Sequence, residues 1–442
     1  MLKRLLMTAL VSAAAYGAEP AKGKTEWTQR FKGCSVTVRT NCPGARAEIG
    51  DTVKLALAFE SKNGGSVHVT LHENGNVIGE PRTVASGDCV EFERKATVPG
   101  GIFISGSILD ADGKPVLTAR KRRAVCGLGV LVAPEKIVPG NPLPPPGFDE
   151  FWQKKRAELD QVPIKATRRE FSPPDLAETL VCYDTQVDCA GGAPVSGYLC
   201  MPRNAKPKSL PAIVVFHGAG VRDSVPRLKY AHNAIAFDVN AHGLPNGRPK
   251  KFYDDLFKGE LADYRSRHLD DHEKNYFVGI YTRIMRALDY VKSLPEWDGR
   301  TLIVTGGSQG GAQSLAAAAL DPQVTLCVAQ VPSQCDLGAR LAGRRPGGPM
   351  CRNSEETQRD PVVVRETAYV DNVFLAKRIK CPVYVSAGLI DNTCIATSIC
   401  AFYNALPEGV EKHIAINPIG GHNGSPSLAG QRKIGEVLKL GE

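Results

Sequence analysis

The chain has 442 residues, 43% of them hydrophobic and 23% charged. That is too long for one ordinary domain and too apolar for disorder, and it supplies enough core that a disulfide-only scaffold is unnecessary. The net charge of +9 could suit an acidic polymer, but the densest basic run, Arg120 to Arg123, brings no aromatic platform, so nucleic-acid binding is not inferred.

The first residues read as an export signal over residues 1–18. Lys3 and Arg4 precede an apolar run from Leu5 to Ala15, and small residues follow at Ala15, Gly17 and Ala18. The run is shorter than the roughly 20 residues that span a bilayer. No later stretch qualifies either, so the expected location is periplasmic or secreted, with no membrane span. Thirteen cysteines leave an odd count. Cys34/Cys42, Cys182/Cys189 and Cys394/Cys400 are close enough in sequence to bridge, although sequence does not assign partners. Neither CxxC nor HExxH occurs, which argues against a structural zinc site, and neither metal nor cofactor is expected.

Residues 30–133 predict an all-β domain. β-branched runs recur at Ser35 to Arg39, Thr52 to Phe59, Ser66 to Leu71 and Ile102 to Leu109. Turn signals separate them, at Asn63 to Gly65, Asn74-Gly75, Ser86 to Asp88 and Asp112-Gly113. This spacing suits an immunoglobulin-like β-sandwich. The region has few aromatics and shows no chemistry of its own. Arg120 to Arg123 reads as a solvated strand end. Residues 134–147 form a linker, because five prolines between Val138 and Gly147 exclude helix and sheet interior.

Residues 148–442 alternate short apolar strands with helices. Phe148 to Leu159 is an amphipathic helix. Strands follow at Ala212 to Phe216, Ala234 to Phe237, Thr301 to Thr305, Val324 to Ala329, Pro382 to Ser386 and His413 to Ile416. Phe277, Ile280, Tyr281, Ile284, Leu288 and Val291 share one face of a long helix, and Ala312 to Leu320 is a second, Ala-rich one. Such alternation predicts a mostly parallel sheet covered on both faces, with chemistry at the carboxyl ends of its strands.

Gly306-Gly-Ser308-Gln-Gly310 fits G-x-S-x-G directly after a strand and before a helix, the setting of a nucleophile elbow in an α/β-hydrolase. Ser308 is the expected nucleophile, and the Gln309 N–H faces the developing oxyanion. A serine needs a base, and in this fold the order is Ser, Asp or Glu, then His. Only His413 and His422 follow Ser308. His413 falls inside an apolar run, whereas His422 lies in the loop Gly420 to Gly424, so His422 is the expected base. Asp391 follows a strand end and is the expected acid; Asp336 is its main competitor, and Asp360 and Asp371 lack a preceding strand. His217 to Gly220 occupies the position of the second oxyanion loop, with Ala219 as donor and His217 as a structural residue.

These residues together resemble the acetyl xylan esterase and cephalosporin C deacetylase family of carbohydrate esterases. The likeness runs from about Pro145 to the end. It rests on Gly147 to Trp152, on Arg286 to Val291 with Pro295 to Asp298, and most specifically on Gly306-Gly-Ser-Gln-Gly-Gly311. It implies a Ser308–His422–Asp391 triad with Gln309 as an oxyanion donor, an acetylated oligo- or polysaccharide substrate, and homo-oligomeric assembly that the added β-domain leaves open. Where the family often carries Tyr after His-Gly the chain has Ala219. The family's Arg-Gly-Gln motif is replaced by Asn240 to Gly243, and its Gly-His-Glu by Gly421 to Asn423. A serine peptidase of the same fold and a non-catalytic glycan-binding protein are the alternatives; the first would need anchors for a peptide terminus, the second glycan binding without turnover.

Overall fold

The computed structural model describes residues 23–119 and 121–441. The signal-like segment, and Arg120 within the basic run, lie outside the described residues.

The N-terminal region builds two sheets. In spatial order, one holds Glu26–Phe31, Cys34–Thr40, Thr52–Ser61 and Cys89–Lys95, all antiparallel. The other holds Arg46–Ala47, Val125–Val132, Gly100–Leu109, Ser66–Glu73 and Asn76–Ala85. The strands alternate: Val53, Leu55, Leu57 and Phe59 point inward, as do Val67, Val69 and Leu71 from the facing sheet. That period of two is what buries one face of each sheet. The first strand begins at Glu26, earlier than the sequence pattern predicts, because Trp27 and Gln29 alternate into the buried face while charged neighbours point out.

The second region is one nine-stranded mixed sheet. Its spatial order is Ala166–Glu170, Leu180–Val187, Val195–Pro202, Ile235–Asn240, Leu210–Phe216, Trp297–Gly307, Leu326–Gln330, Val383–Gly388 and Lys412–Asn417. From Ile235–Asn240 onward all neighbours are parallel; the first three strands are antiparallel. Those three escape the sequence reading, since Ala166–Glu170 is a fully exposed polar edge and the other two mix Gly, Asp and Gln into their runs.

Helices cover both faces. Tyr276–Lys292 starts where the Asn275 side chain accepts the Phe277 N–H, and it buries nearly its whole length. Gln309–Leu320 is buried almost throughout, and its alanines let it lie close on the sheet. No helix among the described residues is long and apolar enough to cross a membrane.

The proline-rich stretch is extended, but it is pinned. Gly140 N–H donates to Asp336 Oδ1 at 2.7 Å, and Arg344 Nη2 donates to the Val138 carbonyl at 2.6 Å. Rather than standing apart, the β-region docks on the larger sheet. Gly129 N–H donates to the Pro418 carbonyl at 2.8 Å, and Arg345 N–H to the Asn74 carbonyl at 2.8 Å. Arg340 Nη1 reaches Asn76 Oδ1 at 2.6 Å, and Gln29 Nε2 the Ile419 carbonyl at 3.2 Å. A Cβ on Gly129 would lie 2.4 Å from Leu389 Cβ, so only glycine admits this approach.

All thirteen cysteines are thiols. Cys182 faces Cys200 across two antiparallel strands, not Cys189, because strand register and not sequence distance decides who is near. Cys394 is likewise unbridged to Cys400, and Cys34 to Cys42.

Candidate active site

The strand Trp297–Gly307 ends in a sharp turn. Ser308 has φ 58° and ψ −122°, a conformation that costs an L-residue on the order of 1–3 kcal/mol. It persists because both sides are fixed. Ser308 N–H donates to the Gln330 carbonyl at 2.9 Å, and its own carbonyl accepts from Ala312 at 3.0 Å and Ser333 at 3.1 Å. Gly310 is obligatory: a Cβ there would meet the Phe216 carbonyl oxygen at 2.1 Å. Gln309 opens the helix, so its N–H has no intrahelical partner and is available to an anion.

Asp391 follows the strand Val383–Gly388 and is 2% exposed. One carboxylate oxygen accepts from Thr393 N–H at 2.7 Å and Cys394 N–H at 3.0 Å. The other stands 2.8 Å from His422 Nδ1. His422 Nε2 stands 3.0 Å from Ser308 Oγ. The structure thus brings Ser308, His422 and Asp391 into one hydrogen-bonded chain. The neutral tautomer this chain requires carries its proton on Nδ1, which donates to Asp391, and accepts the serine hydroxyl at Nε2.

Burial opposes protonation of His422, but the bond to Asp391 and its charge outweigh it, so its pKa is raised above 6.5. The His422 loop is held at both ends. Asn417 Nδ2 donates to the Gly424 carbonyl at 2.7 Å, and Ser386 Oγ to the Ser425 carbonyl at 2.6 Å.

The competing residues lie elsewhere. Asp336 is buried in an ion pair with Arg344 at 2.8 Å. Asp371 accepts the Asp336 and Leu337 N–H groups, and burial next to Asp336 pushes it up to about 8. Asp360 caps the helix Pro361–Thr367. His413 is a strand residue stacked on Tyr384.

Ala219 is exposed on the loop after Leu210–Phe216, and that loop approaches the elbow at Gly218, where a Cβ would lie 3.7 Å from Ser308 Cβ. His217 is buried beneath, accepts from Ala241 N–H at 3.4 Å, and is held down to about 4 by that burial. His242 stands 3.3 Å from the Gly220 carbonyl and 2.8 Å from Tyr276 Oη, and is likewise depressed to about 3 by burial.

One residue has no signature in the sequence. Tyr264 Oη donates to Gln309 Oε1 at 2.6 Å and accepts the Gly220 N–H at 3.3 Å. It ties the elbow to the facing glycine loop. It arrives from a short 3-10 turn, Tyr264–Ser266, that no periodicity marks.

Asp391, Cys394 and His422 also place three metal-capable atoms within 4.8 Å of one another. A cation held there would occupy the same His422 and Asp391 that address Ser308.

The N-terminal region forms part of this surround. Gly75, Phe103, Val130 and Leu131 line a narrow seam with Leu389, Asp391 and Ile395.

Residues 139–437 match the acetyl xylan esterase (AXE1) family model. An acetyl esterase, Axe7A, from Xylanibacter ruminicola is 33% identical over 284 residues, which are 63% of each chain. The chain therefore spans about two thirds of that relative's length at most. Among solved structures, an acetyl xylan esterase from Paenibacillus sp. R4 superposes with TM-score 0.59 at 26% identity, covering 69% of this chain and 98% of that one. Acetyl xylan esterase 1 from Thermoanaerobacterium gives 0.59 at 25% identity, covering 70% and 98%. The large sheet and its helices are thus of α/β-hydrolase type, and the family is one of carboxylic ester hydrolases. With a match over most of its length, the chain belongs to the acetyl xylan esterase family.

Proposed function

We propose that the protein removes acetyl and other short acyl groups from carbohydrates by way of an acyl-enzyme on Ser308. The observation that carries this is the unbroken chain from Asp391 through His422 to Ser308 Oγ. His422 Nε2 takes the hydroxyl proton as Ser308 Oγ attacks the ester carbonyl. The tetrahedral oxyanion rests on the Gln309 and Ala219 N–H groups. As it collapses, the ester C–O bond breaks and the imidazolium returns the proton to the departing sugar oxygen. Water then attacks the acyl-enzyme by the same route, releasing acid and restoring Ser308. Asp391 keeps the imidazole oriented and stabilises its cation.

The carbohydrate side rests on the family and on the names of the relatives. Export rests on the signal-like pattern of residues 1–18. The two facing antiparallel-rich sheets support an immunoglobulin-like reading of the N-terminal region.

The test compares 4-nitrophenyl acetate with the butyrate and octanoate esters. Fast acetate turnover that disappears in Ser308→Ala is the expected result. Activity surviving in that variant would overturn the mechanism.

A further inference from the structure

The N-terminal β-region grips the two loops that carry the acid and the base. Gln29 is buried in its first strand, Glu26–Phe31, and bridges two backbones. Its Oε1 accepts the Gly127 N–H at 2.9 Å, and its Nε2 donates to the Ile419 carbonyl at 3.2 Å. Gly129 N–H donates to the preceding carbonyl, that of Pro418, at 2.8 Å. Both carbonyls belong to the turn that leads into His422. The same turn holds the acid loop, since the Asn417 carbonyl accepts the Leu389 N–H at 3.0 Å and the Gly420 carbonyl accepts the Ile390 N–H at 3.1 Å.

A second grip uses the turn Asn74-Gly75, where φ is 53° and 80°. Two successive residues at positive φ make the tight hairpin turn that Asn-Gly favours. Asn74 Oδ1 accepts the Gly101 N–H at 2.9 Å, which locks the tip to the neighbouring strand. The Asn74 carbonyl accepts the Arg345 N–H at 2.8 Å. Asn76 Oδ1 accepts from Arg340 Nη1 at 2.6 Å, and its Nδ2 donates to the Gly343 carbonyl at 2.9 Å. The segment held in this way runs on to Gly348, whose N–H donates to the Thr393 carbonyl at 2.7 Å. Thr393 N–H in turn donates to Asp391 at 2.7 Å. The tip also meets the acid loop directly: a Cβ on Gly75 would lie 3.6 Å from Ile395 Cγ2. Gly75, Phe103, Val130 and Leu131 close over buried Asp391, and a carboxylate kept from water acts more strongly on a nearby imidazolium.

We propose that the N-terminal β-region is a working part of the active site, with Gln29 and Asn76 as positioning residues: Gln29 sets the His422 loop, and Asn76 holds the segment that backs the Asp391 loop. The inference rests on the serine esterase reading above and gives the β-region its part in it. Both side chains act through loop backbone. A reacting geometry displaced by about 1 Å loses about 10²-fold in rate. Each tie is one of several on its loop, so removing one costs less than that.

The test uses the whole chain and its Gln29→Ala, Asn76→Ala and Val84→Ala variants. Val84 is buried at the far end of the strand Asn76–Ala85 and controls for lost stability alone. Stopped-flow hydrolysis of 4-nitrophenyl acetate, scaled to active sites by the burst of nitrophenol, gives the acylation rate per competent molecule. The low-field proton resonance of His422 Nδ1 reads its bond to Asp391 with no substrate present. Gln29→Ala should acylate about tenfold more slowly and Asn76→Ala about threefold more slowly, with the resonance shifted or broadened in both. Val84→Ala should melt earlier and keep both the rate and the resonance. Wild-type acylation with an unmoved resonance in the two loop variants overturns the inference. So does an equal loss in Val84→Ala, which makes stability the cause. Should Gln29→Ala fail to fold, Asn76→Ala, at a half-buried side chain, decides alone. A wild-type protein that turns over no ester sinks the esterase reading, and the resonance then still tests the two positioning residues.

Discussion

Removing one oxygen atom tests how the oxyanion site is held. In Tyr264→Phe the ring stays, so packing against His242 and Tyr276 is kept. What goes is the 2.6 Å bond to Gln309 Oε1 and the 3.3 Å bond from Gly220 N–H. Gln309 is 2% exposed, so its amide oxygen would be left without a partner in a dry site. That costs about 1–3 kcal/mol of stability. The catalytic cost follows from geometry. Loss of a whole oxyanion donor costs about 10²–10³ in kcat, and here two donors are loosened but none is deleted. The expectation is therefore a fall of about tenfold in kcat, with KM changed by less than about twofold, since the bond matters where negative charge develops. Steady-state hydrolysis of 4-nitrophenyl acetate gives both constants, and urea unfolding gives the stability. A variant that is destabilised yet keeps its wild-type kcat would refute the reasoning, reducing Tyr264 to a buried hydrogen bond.

Other expectations follow from the same geometry. Asp391→Asn should lower kcat by about 10⁴, because the amide favours the wrong tautomer of His422, and stopped-flow acylation should show the loss before deacylation. Activity needs neutral His422. Its raised pKa keeps the proton on to a higher pH, so the rising limb of kcat/KM against pH should have its midpoint above 6.5. In Asp391→Asn the limb should move down, as burial then acts without its opponent; a limb that stays in place would argue against His422 as the base. Gly310→Ala would drive a Cβ to 2.1 Å from the Phe216 carbonyl oxygen, so the variant should lose more than about 3 kcal/mol or fail to fold, read by thermal unfolding. Gly129→Val should push the β-region off Leu389; faster proteolysis between residues 134 and 147 should accompany a drop in activity, whereas unchanged proteolysis would mean that the contact is dispensable.

Much of the site was legible because its parts are local. The elbow is a contiguous pattern: Gly306 and Gly310 each stand two residues from Ser308, and the strand and helix that flank it have clear periods. Chain order and strand ends pointed to His422 and Asp391, since the fold puts chemistry at carboxyl ends. The same sequence signals drew the parallel strands and the long helix Tyr276–Lys292 within a few residues.

Tertiary structure alone decided what depends on distant segments meeting. Asp336 and Asp391 look alike as acids after strands; only the fold gives one to Arg344 and the other to His422. Tyr264 is unremarkable in sequence until a 3-10 turn sets it between Gln309 and Gly220. Cys182 meets Cys200 because antiparallel register pairs them, which sequence spacing does not encode. The proline-rich stretch reads as a spacer, yet hydrogen bonds to Asp336 and Arg344 fix it, and the β-region closes over the Asp391 loop. Periodicity reports which face of an element is buried, and motif chemistry reports a local backbone. Neither reports which face of another element does the burying, and for this protein that choice places Tyr264 against Gln309 and the β-region against the Asp391 loop.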